Sequence, residues 1–484
     1  MPIQPLPPLR QLLRLTALAG LACLAACAGV RSAHPDGGLR SWVTSADGSR
    51  RLDPGQGGVF GRETPLARII DIDAAQRYQS FVGVGAAITD ASAAVLTGSL
   101  SEERREALLQ ELFAPGTGLG LSFVRVTIGA SDFSAHHYSL DDSPDGRPDP
   151  GLVHYSAAAT EAPVLPLVLR AQALNPALKV MASPWSAPAW MKDSGSLIRG
   201  RLRRDAYPAF ADYLLRFADD YARAGIPLYA LTMQNEPATE PPTYPGMRFD
   251  AEDRARFIAE ALGPRLAARA NAPLLLDWDH NWDAPDSPLA VLADPAAARY
   301  VAGIAWHCYG GKPAAQSVVH AAHPDKDAYL TECSGGDWSH DWRDALRFMS
   351  GTLLIDAMRH WARGVILWNI ALDEHHGPHL GGCNNCRGVV TVDSRSGEVT
   401  RNVEYYALGH VSRFVRPGAV RIDSTSEVDG LHTLAFQNLD DGSIALLVYN
   451  DGAAAEFTLR MAGRSVRYAL AGGNLATLTW RPRR

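Results

Sequence analysis

From residue 80 onward the chain alternates short apolar runs with longer stretches in which apolar positions recur every three or four residues. The runs are SFVGVGAAIT (80–89), SFVRVTIG (122–129), LKVMASPW (178–185), LYALTMQ (228–234), LLLDW (274–278), GIAWHCY (303–309), AYLTE (328–332) and GVILWNI (364–370). Each has the length and composition of a buried strand. The clearest helical stretch is 204–224, where Tyr207, Phe210, Leu214, Phe217 and Tyr221 fall on one face. Another helix is predicted over 344–363. Eight strands alternating with helices predict parallel pairing and closure as a (β/α)8 TIM barrel over residues 80–414. An open doubly wound sheet is the alternative. It is disfavoured because no GxGxxG follows the first run, and because polar residues gather at the ends of many strands, not at one switch point.

After residue 414 the period changes. VRIDST, LHTLAFQN, SIALLVYN, AEFTLRM, RSVRYAL and ATLTW are short β segments, and LDDGS and NDGAA read as hairpin turns between some of them. They predict an antiparallel β-sandwich over 415–484. Two or three strand-like pieces within 41–79 are expected to complete it.

The N-terminus reads differently. Arg10 and Arg14 precede an apolar run too short to span a bilayer, and the run ends in Leu24-Ala25-Ala26-Cys27. This resembles a bacterial lipoprotein signal. Residues 1–26 would then be removed, Cys27 acylated, and 27–40 left as a tether to a cell-envelope membrane surface. A plain secretory signal with a chance cysteine is the alternative, and it too exports the chain. Export makes a local disulfide the expected state of Cys383 and Cys386 in HHGPHLGGCNNC. The histidines there, His375, His376 and His379, raise a metal site as the competing reading. Zinc needs four well-placed ligands and there is no second CxxC, so no metal is expected.

Composition narrows the partners. Among 484 residues, 46% are hydrophobic and 20% charged, which is ordinary for a large globular core. The net charge of −6 and the lack of a long basic run argue against nucleic acid.

Two predicted strands end in glutamate. The fourth runs into Gln234-Asn235-Glu236-Pro237, and the seventh stops at Glu332. In a barrel, such ends converge on one pocket. A lone glutamate there would read as a surface residue or a rim salt bridge, but two across the barrel mouth are what glycoside hydrolysis requires.

At this point the chain resembles glycoside hydrolase family 30, the glucosylceramidase family. The resemblance rests on FVGVGAAITDASAAVL, VRVTIGASDFS, ASPWSAPAWMK, LTMQNEP, GIAWHCY, LTECSG, LWNIALDEHHGP and YYALGHVSRFVRPGA, in order along most of the chain. It implies a (β/α)8 barrel joined to a β-sandwich built from both chain ends. It implies Glu236 as general acid/base and Glu332 as nucleophile of a retaining mechanism without a cofactor. It further implies sugar-binding positions at Asp132, Trp185, Asn235, Tyr309, Trp338 and Trp368. Trp185 and Trp368 would offer apolar walls, Asn235 a bond to the sugar 2-hydroxyl, and Tyr309 a bond orienting Glu332. His307 fits either that network or a neutral core position. The pKa of Glu236 is expected to be raised by the charge on Glu332. A β-linked glucoside or glycolipid of the glucosylceramide type is the first substrate expectation, and a polysaccharide such as β-1,6-glucan the alternative. A non-catalytic carbohydrate-binding surface protein is a third reading, which the presence of both glutamates disfavours.

Overall fold

The computed structural model describes residues 38–339 and 341–482. The signal segment, Cys27 and residues 28–37 of the tether lie outside the described residues.

Eight parallel strands form the first domain: β1 Gly83–Ala86, β2 Phe123–Ile128, β3 Lys179–Pro184, β4 Ala230–Thr232, β5 Leu274–Asn281, β6 Val301–His307, β7 Asp327–Glu332 and β8 Ala362–Leu367. Neighbours pair in the order β1-β8-β7-β6-β5-β4-β3-β2. Two backbone bonds link the ends of this order, Ser122 N to Val84 O at 3.1 Å and Ile88 N to Arg125 O at 2.9 Å. The sheet is thus a nearly closed barrel. The glycines of β1 permit this approach, since a Cβ at Gly85 would lie 2.1 Å from the Phe123 carbonyl oxygen.

Alternation along each strand sorts side chains. Phe123, Met181, Ala230, Leu276, Ala305, Tyr329 and Ile366 fill the barrel interior, while Val124, Leu275, Ile304, Leu330 and Val365 join the larger core under the helices. The predicted helix is Tyr207–Arg223, and it buries Tyr207, Phe210, Leu214, Phe217 and Tyr221 as expected. The helix predicted over 344–363 stops earlier. It runs through Trp342–Arg347, a wide-turn segment Phe348–Asp356, and Ala357–Arg359. Trp361 at φ 79° then breaks the helical path, and Ala362 opens β8.

β5 contains a bulge that matters for the site. Asp277 pairs with Ile304 and Trp278 with Ala305, but the next residue in register with Trp306 is His280. Asp279 is the extra residue, and Trp278 and Asp279 both take positive φ, 78° and 52°. Asp277 therefore points outward, where Arg254 Nε reaches it at 2.8 Å. Asp279, two residues on, points into the barrel instead of following it.

The second domain is antiparallel. Gly38–Thr44 pairs with Leu475–Trp480, and Ile69–Ser80 lies between Val420–Ser424 and Ala455–Met461. Both chain ends therefore build the sandwich. The first strand begins at Gly38, inside the stretch expected to be tether, because Leu39 is needed in the sandwich core, where it is 3% exposed. Ile444, Leu446 and Val448 face that core, while Ala445, Leu447 and Tyr449 face the barrel's helical layer. This strand is buried on both sides, which explains its unbroken apolar run IALLVY.

Candidate active site

Glu332 is the last residue of β7. Glu236 lies four residues past β4, where two backbone bonds continue the barrel's pairing: Asn235 N to Pro184 O at 2.7 Å and Glu236 N to Asp279 O at 3.0 Å. Glu236 takes φ 51°, a conformation that costs about 1–3 kcal/mol and persists only when its surroundings dictate it. The two carboxylates and the His307 ring each offer an atom to one cluster, all within 4.8 Å of one another. The Glu236 side chain is 17% exposed and that of Glu332 is 7%.

A charged hub lies beneath them. Arg125 is wholly buried on β2 and donates to three groups: Glu332 Oε2, Asn235 Oδ1 at 2.8 Å and Asp279 Oδ2 at 2.7 Å. Asp279 also meets Ser183 Oγ at 2.8 Å, Thr232 Oγ1 at 2.7 Å, Thr331 Oγ1 at 2.7 Å and His307 Nε2 at 3.0 Å. Burial alone would neutralise Asp279. The Arg125 charge and the bonds from His307 and Thr331 outweigh it and hold this carboxyl far below the usual range. An ionised Asp279 can only accept, so His307 Nε2 carries a proton. His307 Nδ1 then faces Glu236 Oε1 at 3.2 Å.

Burial opposes charge on His307, but the Glu332 charge and the bonds to Asp279 and Glu236 prevail and raise it to about 9. The same contact reverses the expectation for Glu236. Its burial would raise its pKa, yet the hydrogen bond and charge of His307 pull it down. Glu332 is raised, first by burial and further by the charges of Glu236 and Asp279, against the pull of His307 and Arg125. Glu236 and His307 thus hold one proton between Oε1 and Nδ1. Moving it onto Glu236 changes no proton count: it removes both the Glu236 charge that opposes ionisation of Glu332 and the His307 charge that favours it, and leaves Arg125 as the cation beside Glu332. Glu332 accepts from Arg125 and from the Tyr309 hydroxyl at 2.9 Å, and both contacts favour its carboxylate form.

The walls are aromatic. Trp185 and Trp368 stack on each other at 5.0 Å and 22°, so they form one continuous face, with Arg125 lying 4.9 Å from the Trp185 ring centre. Asn235 accepts from Arg125 through Oδ1, which leaves its N–H groups as the side offered to a substrate hydroxyl. Asp132 is buried beside this wall. Burial first, then the charges of Glu332 and Glu236, push its pKa up to about 8, so near neutral pH it holds a proton and can donate as well as accept. The Tyr309 ring is 46% exposed although its hydroxyl is engaged, and Trp338 is 52% exposed with its ring over Gly336.

Several functional residues were not singled out by sequence. Arg125 is a charge inside FVRVTI, and Asp279 lies in LLLDWDHN. A buried charge in an apolar strand demands a partner, which is a usable signal. Which of Asp277 and Asp279 faces inward depends on the bulge, and no pattern marks that. Tyr244, in the loop after β4, packs among Trp185, Trp368 and Phe133. Its pKa is raised, by burial and then by the charges of Glu236, Asp132 and Glu332.

Cys383 is disulfide-bonded to Cys386, so these sulfurs offer no thiolate to a metal. His376 Nε2 lies 2.9 Å from Asp337 Oδ2 instead. A second disulfide, Cys308–Cys333, ties the ends of β6 and β7 directly after His307 and Glu332. Among the described residues, the atoms that converge as a cation site would need are those of Glu236, His307 and Glu332, and there Arg125 already supplies a fixed positive charge.

Comparison with known proteins gives a consistent result. Residues 81–415 match the glycosyl hydrolase family 30 TIM-barrel domain, and 418–478 match the family 30 β-sandwich domain. An endo-1,6-β-D-glucanase of Neurospora crassa is 32% identical over 85% of this chain and 88% of its own length. A putative glucosylceramidase of Caenorhabditis elegans is 32% identical over 80% of this chain and 77% of its own. A solved endo-β1,6-glucanase superposes with a TM-score of 0.83 at 29% identity, covering 93% of this chain and 100% of that one.

Proposed function

Because the chain belongs to glycosyl hydrolase family 30, we propose that it is a retaining hydrolase of β-glucosidic bonds with β-1,6-glucan as its substrate. The observation that carries the reaction is the convergence of Glu236 and Glu332 to within 4.8 Å. Retaining enzymes hold their carboxyl groups about 5–5.5 Å apart, while inverting enzymes leave about 6.5–9.5 Å for a water.

Glu332 attacks the anomeric carbon as the C–O bond to the leaving group breaks. Glu236 passes its proton to the departing oxygen. A glycosyl ester then sits on Glu332, whose negative charge is gone. Glu236, now a carboxylate next to His307, takes a proton from water, and the water oxygen displaces Glu332 from the anomeric carbon. Each step uses side chains and water alone.

The substrate reading is supported by relatives named endo-1,6-β-glucanases, and it reorders the sequence-based expectation, which put a glucosylceramide-type substrate first. That substrate remains the second reading, supported by the relatives named putative glucosylceramidases. Product analysis separates them. A ladder of β-1,6-linked oligosaccharides from the glucan supports the proposal. Glucose and ceramide from the glycolipid, with the glucan untouched, overturns it. The Leu24-Ala25-Ala26-Cys27 motif supports a further proposal, that the enzyme acts outside the cytoplasm as a lipoprotein anchored through Cys27.

A further inference from the structure

The disulfide-closed loop after β8 touches three other loops at the barrel mouth. Leu380 N donates to Asp132 O at 2.7 Å, in the loop after β2. Gly381 packs on Thr243, after β4, where a Cβ would lie 2.7 Å from Oγ1. Gly336 pairs with Cys386, and Asp337 N donates to Asn385 O at 2.9 Å, both after β7. The tightest contact is with Asp132. Gly382 sits at φ 64°, and a Cβ there would meet Asp132 Oδ2 at 2.3 Å and Asp132 Cβ at 2.5 Å. The Cys383 amide donates to the Asp132 carboxyl. The residue that follows this glycine shelf is therefore both the donor to Asp132 and one half of the disulfide.

We propose that the Cys383–Cys386 ring is a specificity-determining element: it presses the Gly381–Gly382 backbone onto Asp132 and so fixes the carboxyl that discriminates sugar hydroxyls. This rests on the reading of the site as glycoside-binding. Asp132 sits on a loop, and among the described residues no cation pairs with its carboxyl; the causes acting on it are burial, two like charges and backbone donors. Its position is set by backbone packed against it, and a four-residue covalent ring limits how far that backbone can retreat. A carboxyl placed in this way recognises a hydroxyl by geometry, and an analogue lacking the hydroxyl leaves it unpaired.

The test compares kcat/KM for 2,4-dinitrophenyl β-glucoside with that for its single-deoxy analogues. In the full-length enzyme, one deoxy position should cost on the order of 10²-fold or more. Cys383→Ser with Cys386→Ser should shrink that penalty to a few-fold while hydrolysis of the parent glucoside continues. Gly382→Ala keeps the disulfide but pushes Asp132 aside, so it should have the same effect even if the cysteine variant folds poorly. Asp132→Asn should also lose the discrimination, and adding the loop changes to it should do nothing more. The inference is overturned if the loop variants keep the deoxy penalty, or if their effects add to that of Asp132→Asn. If the wild-type enzyme hydrolyses no glycoside, the proposed function falls instead.

Discussion

Asp279 shows how one buried carboxylate organises the chemistry above it. It fixes the His307 tautomer, balances Arg125, and so places the shared proton next to Glu236. As pH rises through about 9, His307 and Glu236 lose that proton, and kcat/KM should fall. The stability term has the same sign. His307 binds its proton more tightly when folded, so its contribution is complete below its ordinary value and is lost as pH climbs to about 9. Asp279→Asn should weaken His307 as a base and move the alkaline limb of the kcat/KM profile to lower pH. Aryl glycosides with poor leaving groups should suffer more than activated ones, because only they need the acid. It should also cost about 3–5 kcal/mol of stability by leaving Arg125 underpaired. An unshifted limb with equal losses on both substrates would reduce Asp279 to a structural role.

At the scale of elements, the apolar runs marked all eight barrel strands, because each is buried on both faces and reads as continuous hydrophobicity. Both glutamates were legible for the same reason, since each ends such a run. The bulge in β5 was not legible. It depends on positive φ at Trp278 and Asp279, residues that do not advertise it, and it decides that Asp279 enters the hub. The disulfide between Cys308 and Cys333 was hidden because it joins two strand ends adjacent only in the closed barrel. Helix Val403–Ser412 carries a different device. His410 lies between Thr44 Oγ1 and Thr477 Oγ1, each at 2.9 Å, and so joins this helix to the sandwich. Burial drives its pKa down to about 3. Between about pH 6.5 and 3 the unfolded chain binds a proton there that the native state refuses, so stability falls as pH falls. His410→Gln should lower Tm at pH 7, and the gap to wild type should narrow toward pH 4. A gap that stays constant with pH would show that His410 does not carry this dependence.

For the whole molecule, the two domains share a boundary built from both ends of the chain. Gly38–Thr44 sits beside the last strand, so the described chain begins in the sandwich and not in the barrel. Wild-type protein made in a bacterial host should partition with membranes, and Cys27→Ala should release it or block processing. A fully soluble wild-type protein cleaved at another residue would remove the anchor from this picture. The central claim concerns the barrel mouth: Glu332 attacks and Glu236 protonates. The most direct measurement is the site of covalent capture by an activated 2-fluoro β-glucoside, mapped by peptide mass spectrometry. One sugar per chain should be found, attached to Glu332, and none with Glu332→Ala. A label on another residue, or a covalent intermediate that survives Glu332→Ala, would contradict that claim.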